Sequence, residues 1–202
     1  MDKVKIFGIQ RSGNNWLHNM LEANYDVKPL GNQESGWNHG YCINEKVINC
    51  KPKAMIILCR HPIVWLPSIW RYRGTKWSFV QHIIKNMEVH NWNKMYSHWT
   101  HLHFEEFPVV YMDYMDLLLK SEETCNKLAE GTGIKKKEKP FYVPSNKMTK
   151  QGTESYKAFD VSYYTENKFL KYYDKSTFEF VINQIDWTVA AEFGYSKKDY
   201  SV

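Results

Sequence analysis

Two short stretches carry residue types that bind anions. Residues 8–16 read GIQRSGNNW: two glycines five apart, with Arg11 between them. A glycine-rich turn between a strand and a helix points several backbone N–H groups at one spot. The helix N-terminus adds partial positive charge, so anions bind there. In a loop that holds a nucleoside triphosphate, the second glycine is followed by Lys, which reaches the terminal phosphates, and by Ser or Thr, which holds Mg²⁺. Here Asn14 and Asn15 stand in those positions. What stays is a backbone cradle from Ser12 through Gly13 to Asn15, one arginine and two carboxamides. That set suits a single phosphate or a phosphosulfate better than a triphosphate with a metal. Taken alone, the stretch also reads as a strand–helix turn with no ligand. The second stretch, residues 60–68, reads RHPIVWLPS. Arg60 leaves an apolar run, and Ser68 follows about two helical turns later. An arginine fork plus a hydroxyl from the next helix can hold a second phosphate.

Both stretches need rigid elements to bring them together. Val4–Ile9 is a β-branched apolar run that predicts a strand, and Trp16, Leu17, Met20 and Leu21 predict a helix over Asn14–Asn24. Residues 26–53 are polar, with one short strand expected around Gly40–Ile43. Ala54–Cys59 has the continuous apolar character of a fully buried parallel strand. Pro62 suits a helix start. A long helical period runs from Trp77 to Trp99, a strand follows Pro108 at Val109–Met112, and a helix runs from about Asp116 to Glu130. Two more helices are expected near Glu166–Tyr173 and Ser176–Phe193. Alternating strands and helices predict an α/β fold in one domain over residues 1–202: a three-layer sandwich with a mostly parallel central sheet and helices on both faces. In such sheets ligands lie beyond the carboxyl ends of the strands. Gly8–Asn15, Arg60 and Tyr114 each follow a predicted strand, so they should meet at one edge.

Composition narrows the class. The 202 residues carry 27 basic and 22 acidic side chains, a net charge of +5. Six lysines against Glu138 between Lys135 and Lys150 account for that excess, so the chain is not broadly basic and no nucleic-acid partner is expected. The 8 Trp, 14 Tyr and 10 Phe suit both a core and a pocket that grips flat surfaces. The four cysteines form no CxxC pair, which points to a reducing, cytoplasmic location. The N-terminus runs directly into a strand pattern without a signal peptide, and AMIILC, the longest apolar run, is too short to span a bilayer.

Together, in order, and each after a predicted strand, these segments resemble the sulfotransferases that use 3′-phosphoadenosine 5′-phosphosulfate (PAPS). GIQRSGNNW is similar to their 5′-phosphosulfate loop, G-x-x-R-S-G-T-T-W. Arg60 with Ser68 resembles their 3′-phosphate motif, and YMDLL at 114–118 resembles a Tyr-Glu-Asp-Leu-Leu stretch after a later strand. The resemblance covers about residues 4–120. It implies a P-loop NTPase-like fold and PAPS as the donor, leaving adenosine 3′,5′-bisphosphate (PAP), with no metal. It implies that Arg11 and the Ser12–Asn15 backbone hold the phosphosulfate, with Gly13 in the turn and Trp16 beside the nucleotide. Arg60 and Ser68 would bind the 3′-phosphate and Tyr114 would sit near the adenine. Lys150 and Gly152 would match a late basic-glycine stretch that covers the 3′-phosphate.

Sulfuryl transfer needs a base for the acceptor's proton. His39 lies twenty-one residues before Arg60, about where cytosolic relatives keep theirs, although Trp37 stands where those relatives have a lysine. Glu34 is the reserve, since other branches use a glutamate. His98, His101 and His103 do not share one helical face, so no metal site is expected there. Trp92, Tyr96 and Trp99 read as core packing or as a pocket wall. The acceptor is a small molecule or carbohydrate with a hydroxyl or amine; phenol, sugar and lipid headgroup fit equally. A chain this short for the family leaves a homodimer open. Two rivals remain: a small nucleotide kinase on the same loop, and a nonenzymatic protein that binds PAP or a similar nucleotide.

Overall fold

The structure is a computed structural model that describes residues 1–40, 45–148, 154–158 and 160–200. The first predicted strand is β1 (Asp2–Phe7), with Val4 to Phe7 all buried. It leads through the glycine loop into α1 (Asn14–Asn24). A short strand that periodicity did not mark, β2 (Val27–Pro29), pairs with the outer side of β1. The small helices α2 (Asn32–Ser35) and α3 (Glu45–Asn49) lead to β3 (Ala54–Cys59), which is buried at every position. The strand expected around Gly40–Ile43 falls largely outside the described residues.

Helix α4 (Pro62–Arg73) starts at its proline, as predicted. It runs through Pro67, which has no N–H to offer the Ile63 carbonyl. The Tyr173 hydroxyl donates to that carbonyl instead, at 2.9 Å. The long helical period after Trp77 is two helices, α5 (Phe79–Lys85) and α6 (Glu88–Thr100). Met87, with φ at 49°, turns the chain between them. Strand β4 (Val109–Asp113) ends on Asp113, whose carboxylate accepts the Met115 and Asp116 N–H groups and so caps α7 (Tyr114–Leu119). Helix α8 (Ser121–Thr132) stops at Gly133. The lysine-rich segment between Lys135 and Lys150 includes β5 (Asn146–Met148), which pairs antiparallel with β6 (Glu154–Ala158). Then come α9 (Ser162–Thr165), a 3₁₀ turn over Lys168–Tyr172, α10 (Lys175–Gln184) and α11 (Trp187–Ala191). Asp186 caps α11 and so divides the helix predicted over Ser176–Phe193.

The four-stranded sheet has the order β2-β1-β3-β4, and every pair is parallel. A parallel strand with neighbours on both sides can be apolar throughout, because both faces are covered. Alternate residues divide the core accordingly. Phe7, Met55, Ile57 and Cys59 pack with α4, α6 and α11. Val4, Ile6, Ile56 and Leu58 pack with α1, α7 and α8 on the other face. Trp92, Tyr96 and Trp99 are fully buried, so this stripe is core and not pocket wall. Two of its polar tips fix the end of β3: Tyr96 donates to the Leu58 carbonyl and Trp92 Nε1 to the Arg60 carbonyl, each at 2.9 Å. No described helix is long and apolar enough to cross a membrane.

Candidate functional site

Because the strands are parallel, the chain leaves β1, β3 and β4 at the same edge, and the predicted segments meet there. The glycine loop is built by close approach. A Cβ on Gly8 would lie 2.5 Å from Ser12 Oγ and 2.6 Å from both Asn14 Oδ1 and the Leu58 carbonyl. Gly13 has φ +105°, and a Cβ there would lie 2.8 Å from the Tyr114 ring. Arg11 also sits in the left-handed region, φ 71°, a conformation that costs a non-glycine residue of order 1–3 kcal/mol. Ser12 is buried, and its single O–H is shared between the Ile9 carbonyl (2.7 Å) and Asn14 Oδ1 (2.9 Å), while Asn14 Nδ2 donates to the Gly8 carbonyl (3.2 Å). The Asn14 carboxamide therefore braces the loop from inside, where a nucleotide-binding lysine would reach outward. Gly8→Ala is expected to lower stability by on the order of 1–3 kcal/mol in denaturant unfolding, with anion binding lost in the folded fraction.

Arg60 comes from the end of β3 and is 3% exposed. One guanidinium nitrogen donates to the Arg11 carbonyl (2.9 Å) and another to the Tyr164 hydroxyl (3.1 Å). Its plane lies over the Tyr114 ring (4.5 Å) and the Tyr164 ring (5.1 Å). Nε is buried and has no partner among the described residues. Buried donors are nearly always paired, so this one has the capacity for a further acceptor. Arg11 lies over the Tyr72 ring at 5.0 Å. Burial, and then the neighbouring Arg60 charge, lower the Arg11 pKa. Two crowded guanidiniums are the electrostatic condition for an anion site. Tyr114, expected beside an adenine, is buried as the shelf under Gly13 and Arg60.

A turn from residues 36 to 40 brings His39 to the same edge. Its Nδ1 lies 2.5 Å from the Gly8 carbonyl. A carbonyl only accepts, so Nδ1 carries the proton and Nε2 of the neutral ring keeps its lone pair. Burial lowers the His39 pKa; the Gly8 bond opposes this and the Lys5 charge adds to it. The ring is therefore neutral at pH 7. The Trp37 ring stands edge-on to it, 5.6 Å between centroids, and is more than half exposed.

These groups line one cavity of about 740 Å³, a volume in the usual range for a small-molecule site. Its walls include Arg11, Gly13, Asn14, Asn15 and Trp16 from the loop and α1. Arg60, Ser68 and Tyr114 also line it, as do His39, Trp37 and Asn38. Ser12 is buried within the loop and is not in the wall. Glu34 is not in the wall: it accepts the Gly31 N–H at the start of α2 and pairs with Lys28 at 2.6 Å. Lys150 and Gly152 lie outside the described residues. Arg71, Tyr163, Tyr164 and Lys171 also line the cavity, and sequence motifs gave no sign of them. With Arg11 and Arg60 they set four cations against Asp160, the one acid in the wall among the described residues, so the residues present fit a polyanionic nucleotide. Among the described residues no three His, Cys, Asp or Glu side chains are grouped to hold a metal ion. No protein-family model matches the chain, and no curated protein matches it.

Proposed function

We propose that this protein is a sulfotransferase that moves a sulfuryl group from PAPS to a hydroxyl or amine acceptor. One observation carries the reading: a glycine loop without the NTPase lysine and hydroxyl shares a cationic cavity with a neutral histidine and with a buried Arg60 Nε that has no partner among the described residues. The parallel sheet with its loop between β1 and α1 suits a P-loop NTPase-like fold. In this reading Arg11 and the Ser12–Asn15 backbone hold the 5′-phosphosulfate, and Arg60 and Ser68 hold the 3′-phosphate. His39 Nε2 takes the acceptor's proton as the acceptor oxygen or nitrogen attacks sulfur. The bond between sulfur and the 5′-phosphate oxygen breaks, and Arg11 offsets the charge left on the bisphosphate. The donor supplies the activated sulfuryl group. Glu34 is fixed by Lys28 and Gly31 outside the cavity, so the base role goes to His39.

The loop lacks the groups that hold a metal-bound triphosphate, so PAP is expected to bind in the presence of EDTA, and more tightly than ATP. Titration calorimetry with PAP, ATP and Mg-ATP checks this. Equal affinities, or a strict Mg²⁺ requirement, would favour a kinase. Turnover of labelled PAPS across an acceptor library then separates an enzyme from a protein that only binds the nucleotide.

A further inference from the structure

Lys5 lies in the middle of β1 and is fully buried. A buried ammonium is costly unless it is well bonded. No ion pair reaches Lys5 among the described residues. Its bonds go to the turn that carries His39: Nζ donates to the Gly36 carbonyl (2.7 Å) and to Asn38 Oδ1 (2.5 Å). An ammonium can only donate, so the oxygen of the Asn38 carboxamide must face it and the amide nitrogen must face away. The backbone of Asn38 is pinned as well. Its N–H donates to Asn32 Oδ1 (3.0 Å), and its carbonyl accepts the Gly8 N–H (3.2 Å). Asn38 lines the cavity between Trp37 and His39, and its amide nitrogen makes no hydrogen bond among the described residues. A charged donor on the carbonyl side polarises the amide and strengthens its N–H groups as donors. Burial lowers the Lys5 pKa to about 8, with Cys50 and Glu34 acting against the shift, so the ammonium persists at neutral pH.

We infer that Asn38 is a further catalytic residue, whose amide donates to the sulfuryl group in the cavity, and that Lys5 is the positioning residue that orients and polarises it from beneath. The inference rests on the PAPS reading above. It accounts for a lysine buried in a strand without an ion pair among the described residues, and it gives this chain a donor next to the base where Trp37 stands.

Affinity for PAPS against PAP isolates the sulfuryl group without any knowledge of the acceptor. Calorimetry on the wild type comes first: binding of neither nucleotide overturns the PAPS reading and this inference with it. Asn38→Asp keeps a partner for Lys5, and so keeps the turn, but replaces the donor with an anion that faces the sulfonate. It is expected to weaken PAPS by about tenfold or more and to leave PAP within about threefold. Lys5→Met removes the charge at similar volume and is expected to weaken PAPS several-fold, again sparing PAP. If that variant does not fold by circular dichroism, Asn38→Asp decides alone. Wild-type affinity for PAPS in Asn38→Asp overturns the inference. Equal losses for PAPS and PAP also overturn it, since they would mean that Lys5 and Asn38 only hold the loop.

Discussion

His39→Ala is expected to lower kcat by roughly 10²-fold or more while PAP affinity stays within a few-fold of the wild type. The ring lines the same cavity as Arg60 and Ser68 without a hydrogen bond to either, and its Nδ1 proton is engaged by Gly8. The only group lost to the reaction is the Nε2 lone pair. That lone pair exists only in the neutral ring, so activity must rise with pH as His39 loses its proton. Burial places that rise below the ordinary histidine value of about 6.5 in the ligand-free protein. A bound sulfonate acts in the opposite direction, so the rise in kcat should lie at higher pH than the rise in kcat/KM. A pH profile of both parameters, with the acceptor that the wild type turns over fastest, checks the sign and the order. A Glu34→Ala variant that abolishes turnover beside an active His39→Ala would reverse the assignment. His98→Ala and His103→Ala should cost much less.

The second large effect concerns Arg60. Each charge-assisted hydrogen bond contributes on the order of 1.5–3 kcal/mol, so Arg60→Ala should weaken PAP by about tenfold or more. Its loss for 5′-AMP, which has no 3′-phosphate, should be far smaller. The structure adds a competing route, since Arg60 also donates to the Arg11 carbonyl and so braces the glycine loop. Equal losses for the two nucleotides would mean that this brace is the whole of its role. Arg60→Lys separates the effects further: it keeps the charge but loses the fork between Arg11 and Tyr164, and should bind PAP with intermediate affinity.

Local pattern was enough for the elements that carry their own signal. Ala54–Cys59 is a six-residue apolar run of the kind a strand covered on both faces shows, and every one of its residues is buried. The loop from Gly8 to Asn15 was legible because two glycines and the missing lysine are chemical facts about the chain. Parallel strands in order then force Arg11, Arg60 and Tyr114 to one edge, so their meeting followed from periodicity alone. Helix breaks were less legible. Asp186 and Met87 divide helical periods that read as continuous, since a cap or a positive φ acts on one residue while periodicity averages over many. Short β2 had too few residues to show a period at all.

What no pattern contained is the set of contacts between distant segments. Tyr164 reaches Arg60 across 104 positions, and Lys5 reaches Asn38 across 33. A tyrosine near the C-terminus and a lysine within a strand are ordinary residues in sequence, and a lysine in a strand reads as a solvent-facing position. Only the packing of the residue 36–40 turn over β1 buries that lysine, and only burial makes its two hydrogen bonds obligatory. The same holds for the choice between His39 and Glu34. Both lie in one polar segment at comparable distances from Arg60. One carboxylate finds Lys28 and a helix start, while one imidazole finds the Gly8 carbonyl, and those partners exist only once β1, β2 and the turn have assembled.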